Sequence, residues 1–169
     1  MTTNASTDAL ATLLLAAVNA HDPDVIAALF AADAHIETPT LPGGSGIGPD
    51  TIRENYAALF RAFPDLHIEE IDRLSSADGS SVAILWTATA THTGPLDPPG
   101  FAPTFVRGAS RGMSHSTSRE GRITSFRLYY DLNDLGRQIG AVPPPGTAGA
   151  RIGVMLQRMK ARSLRRANR

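Results

Sequence analysis

The stretch from Trp86 to Gly94 is where residue types and spacing could support chemistry. In an extended segment alternate side chains share a face, which groups Trp86, Ala88, Ala90 and His92 on one side and Thr87, Thr89 and Thr91 on the other. The small residues between the indole and the imidazole leave space above a sheet, as a ligand cavity needs. The alternative is that the alanines lie under a helix and His92 makes a structural hydrogen bond at a strand end. A second group is Tyr129, Tyr130 and Asp131. A carboxylate at the end of a strand, near an imidazole and a phenol, can act as general base, with Tyr130 and His92 completing a proton relay. Asp131 also stands directly before a short helical segment, where an aspartate serves as an N-cap. Asn55 and Tyr56 form a third pair, polar groups on a helix that otherwise buries Ile52, Ala58, Leu59 and Phe63, so one of them can point into the same cavity.

The remaining histidines carry less. His115 lies mid-strand and can face either way, while His21, His35 and His67 sit at element ends as structural or solvated groups. No pair is spaced i, i+4 and none has a glutamate-rich partner, so no metal site is expected. Gly43, Gly44 and Gly46 are not followed by the lysine of a phosphate-binding loop. The chain has no cysteine, which excludes disulfides, thiolate metal sites and cysteine nucleophiles.

These residues must be held by a scaffold that the hydrophobic periods outline. Leu10, Leu13, Leu14, Ala17 and Val18 mark one stripe of a first helix, capped by Ser6, Thr7 or Asp8 and ending near Asn19. Asp22 and Pro23 open a short second helix through Phe30. Residues 33–38 form a strand, Pro39–Gly48 is loop, and a third helix runs from Asp50 or Thr51 to Phe63. The period then changes to two. Strands are expected over Leu66–Leu74, Ser81–Thr93, Phe105–Thr117 and Arg122–Tyr130, an antiparallel meander, followed by a helix from Leu132 to Ile139. The class is α+β, a curved antiparallel sheet with N-terminal helices packed on one face. Residues 1–143 make that domain, and 144–169 a Pro/Gly linker and a basic amphipathic helix.

The 169 residues balance sixteen basic against sixteen acidic side chains, so attraction of the whole chain to nucleic acid is not expected. The charge is segregated. Residues 1–106 hold three basic and thirteen acidic side chains, net −10, and residues 107–169 the reverse, net +10. Arg151–Arg169 carries seven basic residues and no acidic one. Docking of this tail on the acidic half of its own or a neighbouring subunit is favoured over a membrane surface. The apolar run Ala9–Ala20 lacks a basic leader and reads as a helix, and the expected location is cytoplasmic.

Asn19 to Asp22, Gly48-Pro49 before a helix, Arg61 to Leu66, Thr91 to Gly94, Gly121 to Ile123 and Gln138 to Gly140 occur in this order. The succession resembles the SnoaL-like polyketide (ester) cyclases, within the nuclear transport factor two-like fold, over roughly Ala9–Pro143. The resemblance implies a cone of curved sheet capped by helices, a mostly apolar cavity, homodimers and acid/base chemistry without a cofactor. It matches Asn55 and His92 to family site positions. The usual catalytic aspartate falls at Leu128, a further histidine at Ser114 with His115 next to it, and a first-helix tyrosine at Val18. The last strand then presents Thr124, Phe126, Leu128 and Tyr130 to the cavity, and Asp131 reaches it only through a bulge at the strand end.

The reading that follows is a cofactor-independent cyclase or isomerase for a hydrophobic polyketide- or terpenoid-like intermediate. Asp131, His92 and Tyr130 are the candidate catalytic groups, and Asn55, Tyr56, Trp86, His115, Phe126 and Leu128 line the substrate. Alternatives are a non-catalytic binding protein with the same cavity, and an epoxide hydrolase or epoxide-opening cyclase.

Overall fold

Ser6 starts the first helix, α1 (Thr7–Asn19), by accepting a hydrogen bond from Ala9 N, one of the amides that a helix cannot pair internally. In the computed structural model, which describes residues 6–97 and 100–167, the buried stripe of α1 is Leu10, Ala11, Leu14, Ala17 and Val18. Leu13 falls at its margin and is exposed. Asp22 caps α2 (Pro23–Ala28) through Asp24 N and Val25 N. This helix stops before Phe30, short of the expected end. Phe30 instead opens strand β1 (Phe30–Glu37), pairs with Ile123 and meets the Phe126 ring edge-on at 5.8 Å. Burial in the sheet outweighs the local helical pattern.

The expected loop contains a 3₁₀ turn (Pro42–Gly44) and a short strand, β2 (Ser45–Ile47), antiparallel to β1. Gly48 leads into α3 (Gly48–Ala62) with φ of 84°, a conformation that only glycine adopts without strain. Strands β3 (His67–Ser75), β4 (Ser81–Thr91), β5 (Arg107–Arg119) and β6 (Arg122–Tyr130) form the antiparallel meander. The sheet order is β2-β1-β6-β5-β4-β3, and β1 lies parallel to β6, so the sheet is mixed where an antiparallel one was expected. Register shifts at Glu70–Asp72 and Thr117–Ser118 add local twist, as bulges do, and the open sheet curves around α1 and α3.

Along β4 the side chains alternate strictly, with Val82, Ile84, Trp86, Ala88 and Ala90 buried on the concave face. The end of α1 is clamped to the start of β3. The Asn19 carboxamide donates to Ile68 O and accepts from Ile68 N, each at 2.9 Å, while His21 Nε2 lies 2.8 Å from Leu66 O and its ring stacks on Phe60. After β6 come α4 (Leu132–Gln138) and, beyond the proline run, α5 (Ala148–Ala167), whose apolar residues Ile152, Met155, Leu156 and Met159 are exposed. Among the described residues no helix is long and apolar enough to cross a membrane.

Candidate functional site

Between α3 and the concave face of β4, β5 and β6 lies a cavity of about 80 Å³. Small side chains make the space. Ala88 and Ala90 on β4 and Gly108 and Ser110 on β5 stand where larger groups would fill it. Its other walls are Leu59, Phe63, Trp86 and Leu128. The indole of Trp86 crosses to the neighbouring strand and lies against Gly112, its register partner, where a Cβ would collide with the ring. That contact holds the indole against the wall.

Besides Thr89 and Ser110 of the wall, the cavity has a group of linked polar side chains. Thr40 donates to Asn55 Oδ1 at 2.8 Å and lies 3.1 Å from the Thr38 hydroxyl, so both threonines and the amide form one chain. No described residue hydrogen-bonds the Asn55 amide nitrogen, which leaves its two N–H groups for a ligand. Tyr56 and Tyr130 reach the same cavity. Burial pushes the Tyr130 hydroxyl up to about 12, against the opposing effect of Thr40. Burial, with Tyr130 adding to it, also holds Tyr56 above its ordinary value. Both phenols therefore stay protonated at neutral pH and can donate. The cavity lining contains no carboxylate, imidazole or cationic side chain among the described residues.

Thr40, Asn55 and Leu59 also border an outer groove of about 640 Å³, with Leu41, Glu54 and Leu96 among its walls. The Thr40–Asn55 hydrogen bond lies on the boundary between the two spaces.

The sequence-derived candidates separate clearly. Asn55, Tyr56, Trp86, Leu128 and Tyr130 surround the cavity, and Phe126 lines a smaller space deeper in the cone. Asp131 does not turn inward. Alternation carries through the end of β6 without a bulge there, so Tyr130 faces the cavity and the exposed Asp131 carboxylate accepts from Asp134 N as the cap of α4. His92 is fully buried but outside the cavity lining, because β4 ends at Thr91 and the chain turns beneath the end of α3. There Thr93 N and Gly94 N both donate to Ala62 O, and a Cβ on Gly94 would overlap Arg61 O. The His92 ring stacks on Phe63 at 5.1 Å. Its Nδ1 lies 3.3 Å from Thr104 Oγ1, and its Nε2 has no partner among the described residues. Burial lowers its pKa and keeps it neutral. His115 is on the opposite, convex face, across from Arg127 and Ala83, because Ser114 and Ser116 take the concave positions.

Thr40 was missed. It sits in an aperiodic Pro/Gly stretch, and the only signal in the sequence is the hydroxyl pair Thr38 and Thr40 flanking Pro39. No cluster of three or more potential metal ligands occurs among the described residues.

The model of the SnoaL-like domain family matches residues 11–126. The chain belongs to the SnoaL-like family. Its fold is shared with solved structures of low sequence identity. AclR from Streptomyces galilaeus, described as a candidate hydroxylase, superposes with a TM-score of 0.68 at 23% identity, covering 81% of this chain and 97% of that one. A candidate polyketide cyclase from Pseudomonas putida KT2440 gives 0.71 at 20% identity, with 79% and 98% covered. A protein from Catenulispora acidiphila with a ketosteroid isomerase-like fold, in complex with trimethylamine, gives 0.66 at 20% identity, with 82% and 100% covered. No curated protein matches the chain. These neighbours carry different descriptions, and a shared scaffold does not by itself specify a reaction.

Proposed function

We propose that this SnoaL-like protein is a cofactor-independent cyclase that closes a ring in a hydrophobic, carbonyl-bearing intermediate of polyketide or terpenoid type in the cytoplasm. The observation that carries the reading is the hydrogen-bonding group in a mostly apolar cavity, made by Asn55, Thr40 and Tyr130. When the enol form of a β-dicarbonyl unit in the substrate attacks a second carbonyl of the same chain, the new bond forms as that carbonyl's π pair moves onto its oxygen and the enol proton is passed to it, so negative charge builds on that oxygen in the transition state. Donors fixed before the reaction stabilise that charge without reorganising. The Tyr130 O–H and an Asn55 N–H are such donors, and the elevated pKa of Tyr130 keeps its proton in place. The apolar walls from Trp86, Phe63 and Leu128 select a folded conformer and so remove much of the entropic barrier. This chemistry uses shape and carbonyl polarisation, and it does not use Asp131 or His92 as a base.

The lining also supports a second reading, a binding protein for the same class of molecule, since it supplies no group that removes a proton from carbon near neutral pH. The Asp–Arg–Asp arrangement of an epoxide hydrolase has no counterpart among the cavity-lining residues. The test is ring closure of synthetic poly-β-keto thioester analogues, followed by product analysis. Acceleration by the wild type that falls about a hundredfold in Tyr130→Phe supports the cyclase. Tight binding with the rate and products of buffer alone overturns it in favour of the binding protein.

A further inference from the structure

The cavity between α3 and the sheet is small for a whole biosynthetic intermediate. A single water needs about 10–15 Å³ of such space, so about 80 Å³ takes a group of roughly five to eight non-hydrogen atoms, the size of a single ring. Pockets that enclose a complete small-molecule ligand have about 300–1,000 Å³. The outer groove, at about 640 Å³, lies in that range and adjoins the cavity along Thr40, Asn55 and Leu59, which line both. The Asn55 N–H groups therefore stand on the boundary, where they can meet a carbonyl that has one substituent in each space.

Helix α3 gives the two spaces different characters. Its Tyr56 and Phe63 face the cavity, while Thr51, Glu54, Ala58 and Arg61, three or four residues apart, form one stripe along the groove. Ala58 is the smallest member of that stripe and leaves room between Glu54 and Arg61. Leu41 and Leu96 add apolar wall. Ser45, Glu54, Arg61 and Asp97, all exposed, make a polar rim that the cavity lacks.

We propose that the outer groove is the binding site for the larger part of the substrate. The apolar end that closes into a ring occupies the cavity, the carbonyl lies at Asn55 and Tyr130, and the remaining length follows α3 past Ala58 with its oxygen-bearing groups at the polar rim. This assignment rests on the carbonyl-binding reading above and extends it to the size and polarity of the molecule, an elongated amphiphilic chain of which only the reacting end is enclosed.

Trp86 is the sole tryptophan and lines the cavity, so its fluorescence reports ligands there. The probes are butyl methyl ketone, which the cavity can hold whole, butyl octyl ketone, and the same long ketone with a hydroxyl at the end of its octyl chain. The wild type should bind both long ketones about tenfold more tightly than the short one, the gain that full burial of about two methylene groups gives. Ala58→Leu and Ala58→Phe fill the middle of the groove to increasing extents and should bring that ratio stepwise toward one. Binding of the short ketone in each variant shows that the carbonyl site has folded. If the short ketone binds but added length gives no gain, or the gain survives Ala58→Phe, the groove subsite is overturned and the carbonyl site stands. A terminal hydroxyl that cancels the gain overturns the polar-ended chain. If no ketone binds, the carbonyl reading falls and the groove assignment falls with it.

Discussion

Thr40 donates its hydroxyl to Asn55 Oδ1 on the boundary between the cavity and the outer groove, joining the loop after β1 to the middle of α3. The bond fixes which end of the Asn55 carboxamide is left to donate. Thr40→Val removes that constraint at nearly constant volume. The amide can then rotate, and ketone affinity measured by Trp86 fluorescence should fall about five- to tenfold, with thermal stability changed by about 1 kcal/mol or less.

Tyr130→Phe and Asp131→Ala separate the two neighbours at the end of β6. The first removes a donor from the cavity and should cut turnover about a hundredfold without unfolding the protein. The second removes only the cap of α4 and should cost about 1 kcal/mol in denaturant unfolding while leaving ligand binding intact. A large loss of binding in Asp131→Ala would overturn the exclusion of that carboxylate from the site.

Gly112→Ala should be damaging, because Gly112 is half-buried beneath the indole of Trp86. The new methyl group meets both the indole of Trp86 and Tyr129 O. Pushing the ring inward shrinks the cavity, and overpacking of this kind costs about 1–3 kcal/mol. The expected readout is a shifted Trp86 emission with loss of ketone binding in a protein that still folds.

The pH dependence follows from which groups are shifted. The cavity lining titrates only through Tyr56 and Tyr130, both raised, so ligand affinity should be flat from about pH 6 to pH 9. Asp65 is different. Its carboxylate accepts from Thr91 Oγ1 and Thr91 N, and these bonds lower its pKa. A carboxyl lowered in the folded state stabilises the fold above its unfolded pKa of about 3.9, and that contribution disappears as pH falls through the folded value. Asp65→Asn should therefore melt below the wild type at pH 7, and the difference should shrink below about pH 4. A constant difference across that range would rule out the linkage.

How much of this was legible in the sequence depended on whether one face of a segment is buried. β4 was legible because every second residue from Val82 to Ala90 is covered, and that period placed Trp86 on the cavity side. Asp22-Pro23 was legible because capping is local chemistry. Phe30 was misassigned, since its strand conformation depends on Ile123 and Phe126, distant in sequence. His92 followed the alternation of β4 on paper. The strand stops one residue earlier, and the turn that holds His92 is set by the carbonyls at the end of α3. Thr40 lies in a stretch with no period, so only the tertiary structure brings it to Asn55.

The parallel pairing of β1 with β6 also constrains how the chain folds. Glu37 and Arg127 are partners 90 residues apart, and no nearer strand occupies that side of β1. During synthesis the first strand must wait, with that edge unpaired, until the last strand of the meander has been made. Non-local closure of this kind slows folding and exposes an edge to other chains. The meander β3–β6 has only neighbouring strands to pair and can form first, so the α1–β1 segment is expected to dock last and to be the part most prone to swap between two nascent copies.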